Sequence, residues 1–197
     1  YNALLSFVIG ERGVGKTFGA KKFVVNDFLK NSNQFVYLRR YKTELDIAMQ
    51  GFFSQLQDNG LFEDCVFKVK SSKNKVTTFE CNGETIGYAI PMSTANILKS
   101  ASFTKVKTII FDEFIIDKGC YHYLQNEVIQ FLDVIETVAR MRDIRVFLLG
   151  NAITTTNPYW IFFNIHLPYN TEFQTFKDGL IVVNYVCILN TSDAADE

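Results

Sequence analysis

Short apolar runs alternate with amphipathic stretches along most of the chain. The first run, LLSFVI at residues 4–9, has the length of a buried strand, and residues 17–30 carry apolar side chains at helical spacing. A second strand-length run, QFVYLRR, follows at residues 34–40. Strands that alternate with helices are typical of α/β domains with a parallel sheet and right-handed crossovers.

The same alternation continues after an interruption in the middle of the chain. A weaker helix is predicted over residues 43–56, a short one over 93–101, and the clearest amphipathic helix over 126–141. Further strands are predicted at residues 106–114, 144–149 and 180–189.

Three short β-type runs, at residues 65–70, 75–81 and 85–90, make up the interruption. Asn82-Gly83 lies between the last two runs and is a strong hairpin signal. We therefore expect one domain over residues 1–190, with an antiparallel β meander inserted at about 62–91.

Composition narrows the class of protein. The chain has 197 residues, of which 48% are hydrophobic, so it is long and apolar enough for one α/β domain with a proper core. The formal net charge is −1, so any contact with nucleic acid has to come from a local patch and not from a general basic field. No apolar run reaches the length of a membrane span, and no membrane partner is expected.

Cysteine and histidine are too scattered to predict a metal site. Neither a C-x-x-C pair nor a cluster with the two histidines occurs, so we expect reduced cysteines, no disulfide and no structural zinc. The residues concerned are Cys65, Cys81, Cys120, Cys187, His122 and His166.

The first chemical signal is GERGVGKT at residues 10–17, which fits the phosphate-binding loop G-x-x-x-x-G-K-[ST] and lies between the predicted strand and helix. Its glycines permit close approach of backbone N–H groups to phosphate. Lys16 supplies an ammonium for the β/γ-phosphates, Thr17 a hydroxyl ligand for Mg²⁺, and the helix N-terminus a positive dipole end. The alternative is a glycine-rich turn that binds nothing. The predicted nucleotide-binding residues are Gly10, Arg12, Gly13, Val14, Gly15, Lys16, Thr17 and Phe18.

The second signal is VKTIIFDEF at residues 106–114, an apolar strand that ends in two acids. On a P-loop fold, Asp112 at this position holds Mg²⁺, usually through water, and Glu113 is placed to polarise the attacking water. The alternative is a pair of surface acids that closes a strand.

Polar residues follow two other predicted strands. Asn151 comes after the strand at 144–149, where it can touch the γ-phosphate or the water, or can be an ordinary turn residue. Arg39 and Arg40 end the second strand, at the edge where α/β sheets bind ligands, and a solvated basic turn is the alternative.

Together these signals predict a P-loop NTPase of the additional-strand, catalytic-glutamate (ASCE) type. We expect a mostly parallel central sheet flanked by helices, with the inserted antiparallel meander at one side. In this fold the strand that ends near Asn151 lies between the P-loop strand and the Asp112 strand.

The motifs resemble those of the phi-29-like DNA packaging (encapsidation) ATPases of small tailed phages, over most of the chain. They are FVIGERGVGKT, QFVYLRRYKTEL, TIIFDEF, TVARMR and GNAITTTNPYWIFFN. The resemblance implies a motor domain that hydrolyses ATP with Mg²⁺ and translocates double-stranded DNA into a prohead. It also implies a ring of copies, a pentamer, docked on the portal in the host cytoplasm.

The resemblance assigns further residues as well. Arg140 falls at the position of the family's arginine finger, and Lys99 at a second basic position that acts across the subunit interface. The small, acidic residues 191–197 would begin a linker to a C-terminal domain.

Two lysines that follow strands are candidates for DNA contact. Lys42 comes after the second strand and Lys118 after Asp112-Glu113, and loops at this edge lie near the nucleotide. Phosphate contact needs no sequence-specific chemistry, so two solvated lysines are the alternative.

Two other functions compete with the motor. A P-loop small-molecule kinase needs an acceptor pocket and usually a lid of arginines, and the meander offers no such lid. A nucleotide switch of the GTPase kind uses N-K-x-D to read guanine, and the sequence has only NKVT at residues 74–77.

Overall fold

The computed structural model describes residues 2–71, 76–95, 102–116, 121–151, 156–166 and 172–186. The strands are β1 Leu5–Gly10, β2 Gln34–Arg39, β3 Phe67–Ser71, β4 Thr77–Cys81, β5 Glu84–Pro91, β6 Val106–Asp112, β7 Arg145–Asn151, β8 Phe173–Phe176 and β9 Ile181–Val186. The helices are α1 Lys16–Asn31, α2 Lys42–Met49, α3 Ser54–Gln57, α4 Glu127–Ala139 and α5 Pro158–Phe163.

All of these strands join one sheet in the order β3-β4-β5-β2-β6-β7-β1-β9-β8. The central pairs β2–β6, β6–β7, β7–β1 and β1–β9 are parallel. β7 lies between the P-loop strand β1 and the Asp112 strand β6, as the ASCE prediction requires. The predicted fold class is therefore confirmed.

The meander is present and continues the central sheet. β3, β4 and β5 pair antiparallel, and the β4–β5 turn has positive φ at Asn82 (52°) and Gly83 (87°), as expected for an Asn-Gly hairpin. β5 also pairs parallel with β2, and an added Cβ on Gly87 would lie 2.7 Å from the Phe35 carbonyl oxygen. The three strands thus extend one edge of the sheet and do not form a separate layer.

Some predicted elements differ from those observed. The predicted helix over 43–56 is wrong as one element, because α2 ends at Met49 and Gly51 takes a φ of 71° before α3 begins. β8 was not predicted, and it pairs antiparallel with β9. Of the predicted helix at 93–101, residues 92–95 form a 3₁₀ turn, and the remainder lies outside the described residues.

Two apolar clusters cover the two faces of the sheet. One includes Phe111 of β6 and packs against α4 and α5 through Phe131 and Trp160. The other packs against α1, α2 and α3, with Phe35 and Phe52 stacked near its centre at 6.2 Å between ring centroids. Because the sheet is covered on both faces, its central strands are nearly continuous apolar runs.

The described part of the chain holds Cys65 and Cys81 as free thiols, and Cys120 and Cys187 lie outside it. Burial and the neighbouring Cys65 raise the pKa of Cys81 to about 12. Within the same residues, no helix combines the length and apolar character that crossing a bilayer requires.

Candidate active site

The loop between β1 and α1 has the geometry of a phosphate cradle. Gly13 and Gly15 have φ values of 89° and 82°, and an added Cβ at either would meet nothing within 4 Å. Glycine is therefore favoured at both positions because the backbone is left-handed there, and not because a side chain would lack space. α1 begins at Lys16 with no side chain capping its first N–H groups. Such a helix start suits an anion.

Lys16 lies across this loop. Its ammonium donates hydrogen bonds to the carbonyl oxygens of Gly10 (3.0 Å) and Glu11 (2.7 Å) and to Asn151 Oδ1 (3.2 Å). Burial lowers the pKa of Lys16, and the charge of Asp112 opposes that shift. The structure thus brings Asn151, at the end of β7, onto the P-loop lysine.

Thr17 and Asp112, the two predicted Mg²⁺-binding residues, are in direct contact. The Thr17 hydroxyl donates to Asp112 Oδ1 at 3.0 Å, and Asp112 is buried. The other carboxylate oxygen, Oδ2, accepts a 2.6 Å hydrogen bond from the hydroxyl of Tyr37. Tyr37 was not among the predicted site residues, since it reads as one more apolar residue of the β2 run.

Arg39 joins the two acids. Its Nη1 lies 2.5 Å from Glu113 Oε2, its Nη2 lies 3.6 Å from Asp112 Oδ2, and its Nε donates to the Tyr37 hydroxyl at 3.2 Å. Burial alone would lower the pKa of Arg39, but Tyr37, Asp112 and Glu113 together raise it. The alternative of a solvated basic turn is therefore wrong for Arg39, which lies in the site.

Arg40 is buried behind the site. Its Nε and Nη2 donate to the two carboxylate oxygens of Glu127, at 2.7 and 2.9 Å, and Nη2 also donates to the Phe114 carbonyl oxygen at 2.8 Å. Tyr159 donates to the same Glu127 at 2.8 Å. Although burial lowers the pKa of Arg40, the hydrogen bonds to Glu127 raise it overall. Arg40 thus ties β2 to the turn after Asp112 and is not a solvated arginine either.

The turn that carries Glu113 is conformationally constrained. Glu113 has a φ of 58°, which is uncommon for a residue with a side chain, and the Phe114 N–H donates to the Leu149 carbonyl oxygen at 3.1 Å. Gly150 lies against this turn, and an added Cβ there would approach Phe114 to 2.8 Å. β7 therefore supports the position of Glu113 from the next strand.

One cavity collects most of the predicted residues at the carboxyl edge of the sheet. Its lining residues are Arg12, Gly13, Gly15, Lys16, Thr17, Phe18, Gln55, Asp112, Glu113, Leu149, Gly150 and Asn151. Gln55, from α3, was not predicted, because its helix gives no motif. Gly10 and Val14 do not line this cavity: Gly10 lies beneath Lys16, and Val14 borders an adjacent apolar cleft with Phe23 and Phe147.

The donor set of this cavity fits ATP with Mg²⁺. The open glycine loop, the α1 N-terminus and Lys16 match the phosphates, and the Thr17 hydroxyl and Asp112 carboxylate are the hard oxygen ligands that Mg²⁺ takes.

The other predicted site residues lie away from the cavity or outside the residues that the structure describes. Arg140 is exposed at the end of α4 with a φ of 42°, close in sequence to the start of β7, so it lies at the opposite edge of the sheet. Lys42 begins α2 and pairs with Asp46 at 2.8 Å. Lys99 and Lys118 are outside the described residues.

The strand order, the P-loop and the Thr17–Asp112 contact together define a P-loop NTPase domain of the ASCE division. The chain belongs to the podovirus DNA encapsidation protein (Gp16) family, whose family model matches residues 1–193.

Relatives support this membership in sequence and in structure. The chain is 38% identical over 184 residues to the DNA packaging proteins of Bacillus phages PZA and phi29, which covers 93% of this chain and 53% of each of theirs. It thus spans about half the length of these curated relatives. The crystal structure of the N-terminal domain of the DNA packaging ATPase from bacteriophage phi29 matches with a TM-score of 0.85 at 35% identity, over 97% of this chain and 94% of that one.

A more distant structure shares the fold alone. The large terminase ATPase domain of Thermus phage P74-26 matches with a TM-score of 0.57 at 12% identity, over 94% of this chain and 76% of that chain.

Proposed function

We propose that this domain hydrolyses ATP and couples hydrolysis to the translocation of double-stranded viral DNA into a prohead. The observation that carries the proposal is the convergence of Lys16, Thr17, Asp112 and Glu113 on one cavity. Membership in the DNA encapsidation family indicates that the substrate to be moved is DNA.

The residues of the cavity have different roles in the proposed reaction. Lys16 and the loop N–H groups hold the phosphates, while Thr17 and Asp112 hold the Mg²⁺, which when bound neutralises charge on the phosphate oxygens. Glu113 is the proton acceptor for the attacking water. Asn151 keeps the Lys16 ammonium over the loop.

Glu113 is held by Arg39 in the structure described, at 2.5 Å. This ion pair occupies one of the two carboxylate oxygens of Glu113, Oε2. In the proposed mechanism the Arg39–Glu113 pair loosens when the nucleotide is in place, so that Oε2 can face the attacking water.

Assembly completes the proposed motor. Copies of the chain form a ring, a pentamer, in which Arg140 and Lys99 of one subunit act on the nucleotide of the next. Such a ring docks on the portal of the prohead in the host cytoplasm, and Lys42 and Lys118 contact DNA phosphates. The exposed position of Arg140 at the end of α4, away from the cavity of its own subunit, is compatible with action on a neighbour.

Phosphate release from ATP, with and without duplex DNA, tests this function against its competitors. We expect Mg²⁺-dependent release that DNA stimulates, and loss of release in the Lys16→Ala variant. A protein that binds ATP but neither hydrolyses it nor responds to DNA would be a switch. Transfer of the phosphoryl group to a small acceptor would identify a kinase, and either result would exclude the motor.

A further inference from the structure

The carboxylate of Asp112 is held from two sides. Thr17 donates to Oδ1, and Tyr37 donates to Oδ2 with the shorter hydrogen bond, 2.6 Å against 3.0 Å. Arg39 also approaches Oδ2, but only to 3.6 Å, and its closer partner is Glu113. The phosphate and metal chemistry proposed above gives Tyr37 no part.

The fold fixes where the Tyr37 hydroxyl lies. Tyr37 is 1% exposed on β2, between the parallel neighbours β5 and β6. Its ring packs edge-on against Phe52, with 4.9 Å between the ring centroids. The ring has no room to turn away without opening the core, so the hydroxyl is in place before any ligand arrives.

This fixed hydroxyl determines how Asp112 presents its other oxygen. A short hydrogen bond to a carboxylate is charge-assisted and directional, so Oδ2 is held by Tyr37 and Oδ1 is turned to Thr17. Without the Tyr37 hydroxyl, the donor left beside Oδ2 is Arg39. A carboxylate that rotates toward that guanidinium separates Oδ1 from Thr17 and so disassembles the metal site.

We propose that Tyr37 is a positioning residue, which presents Asp112 to the Mg²⁺ of a bound nucleotide. The inference rests on the proposed nucleotide function. Because Arg39 Nε donates to the same hydroxyl at 3.2 Å, Tyr37 also links the metal-binding carboxylate to the guanidinium that holds Glu113. Both acids of the site thereby share one cation.

Tyr37→Phe tests the role, with Tyr159→Phe as the matched control. Both tyrosines are buried, at 1% and 0% exposure, and both donate to a carboxylate, at 2.6 and 2.8 Å, but Tyr159 serves Glu127. The affinity for a fluorescent ATP analogue is measured in EDTA and across a Mg²⁺ titration, and Mn²⁺ binding to the nucleotide complex is measured by electron paramagnetic resonance.

We expect Tyr37→Phe to raise the half-saturating Mg²⁺ and Mn²⁺ concentrations about 10- to 100-fold, the usual effect of losing a hydrogen-bond partner of a metal ligand. Affinity in EDTA should stay at the parent value. Tyr159→Phe should lower the unfolding temperature in the same way as Tyr37→Phe and leave both metal titrations unchanged.

A second variant keeps the test decisive if Tyr37→Phe does not fold. Replacing Tyr37 with 4-aminophenylalanine retains a donor at the same place, and parent-like metal titrations are expected. Parent-like titrations in Tyr37→Phe, an equal shift in Tyr159→Phe, or no rescue by the amino variant would overturn the positioning role. A parent protein that binds no nucleotide, with or without metal, would instead defeat the proposed function.

Discussion

At the scale of single residues, Glu113 has an uncommon backbone conformation and the proposed role of proton acceptor. Its left-handed φ of 58° is held by the Phe114–Leu149 hydrogen bond, and its side chain is held by Arg39. Non-glycine residues in this region are uncommon, and they occur where the surrounding structure determines them. The side chain is thus aimed into the cavity by its neighbours and not by local preference.

Replacing Glu113 with Gln should separate binding from hydrolysis. The amide keeps the size of the side chain but cannot accept the proton, so turnover should fall about 10²- to 10⁴-fold while Mg²⁺-dependent nucleotide binding is retained. Steady-state phosphate release and a fluorescent-nucleotide titration measure the two effects. Glu136→Gln, on the exposed face of α4, is the control. Parent-rate hydrolysis by the Glu113 variant would show that another group accepts the proton.

Two glycines near the site should respond oppositely to alanine. A Cβ on Gly150 would lie 2.8 Å from Phe114 and 3.0 Å from Ile115, so Gly150→Ala should destabilise the protein by about 1–3 kcal/mol through overpacking and should slow hydrolysis by moving Glu113. Gly19, inside α1, has nothing within 4 Å of its added Cβ, and Gly19→Ala should stabilise by up to about 1 kcal/mol. Urea unfolding of both variants measures the difference, and equal effects would contradict it.

The sequence predicts the residues of the site better than it predicts their contacts. Gly13, Gly15, Lys16, Thr17 and Asp112 follow from motifs, because phosphate and Mg²⁺ require those residue types at those spacings. Which partners Arg39 and Arg40 take depends on residues more than 70 positions away, since Glu113 and Glu127 meet them only after the sheet forms. No local pattern carries that information.

At the scale of elements, Arg40 joins four segments of the fold. It directly follows β2, it donates to the turn after β6, and its partner Glu127 begins α4 and accepts from Tyr159 of α5. A buried ion pair of this kind is weak evidence for net stability, but breaking one side leaves an uncompensated charge.

A double-mutant cycle should show this asymmetry. Arg40→Met or Glu127→Leu alone should lower the free energy of unfolding by about 3–5 kcal/mol, because each strands a buried charge. The double variant should lose clearly less than the sum of the two. Urea denaturation of the four proteins measures the coupling, and losses that add within about 0.5 kcal/mol would mean that the pair acts as two independent residues.

Element prediction succeeded where periodicity and turn chemistry agreed. α1, α4 and the Asn82-Gly83 hairpin are predicted because apolar spacing and a turn residue point the same way. The sequence does not predict the split between α2 and α3, because Phe52 and Phe53 continue the apolar spacing across Gly51. Both side chains pack in the core, as they would in a continuous helix. β8 was missed because it is a short edge strand with only partial burial, although Asp178-Gly179 marks its turn.

At the scale of the whole molecule, the proposed action of Arg140 on a neighbouring subunit depends on assembly. A mixing experiment tests this: Arg140→Ala subunits, which keep the P-loop, are combined with Lys16→Ala subunits, which keep Arg140. If Arg140 acts on a neighbour, mixed rings contain complete sites and part of the ATPase activity returns, since such fingers contribute about 10³–10⁵ in rate. Rings shown to be mixed that stay inactive would place Arg140 in its own subunit or outside the chemistry.

The position of β1 has a consequence for how the domain is made. Leu5 pairs with Val146 of β7 on one side and with Ile181 of β9 on the other, so both neighbours of β1 lie more than 140 residues further along the sequence. Such long-range pairing closes large loops and folds slowly, and until then both edges of an apolar strand are open to other chains. The P-loop that follows β1 is therefore fixed on the sheet only after this long-range pairing has formed. Pulse-labelled hydrogen exchange during refolding should show protection of the β4–β5 hairpin before that of β1, and simultaneous protection would refute this order.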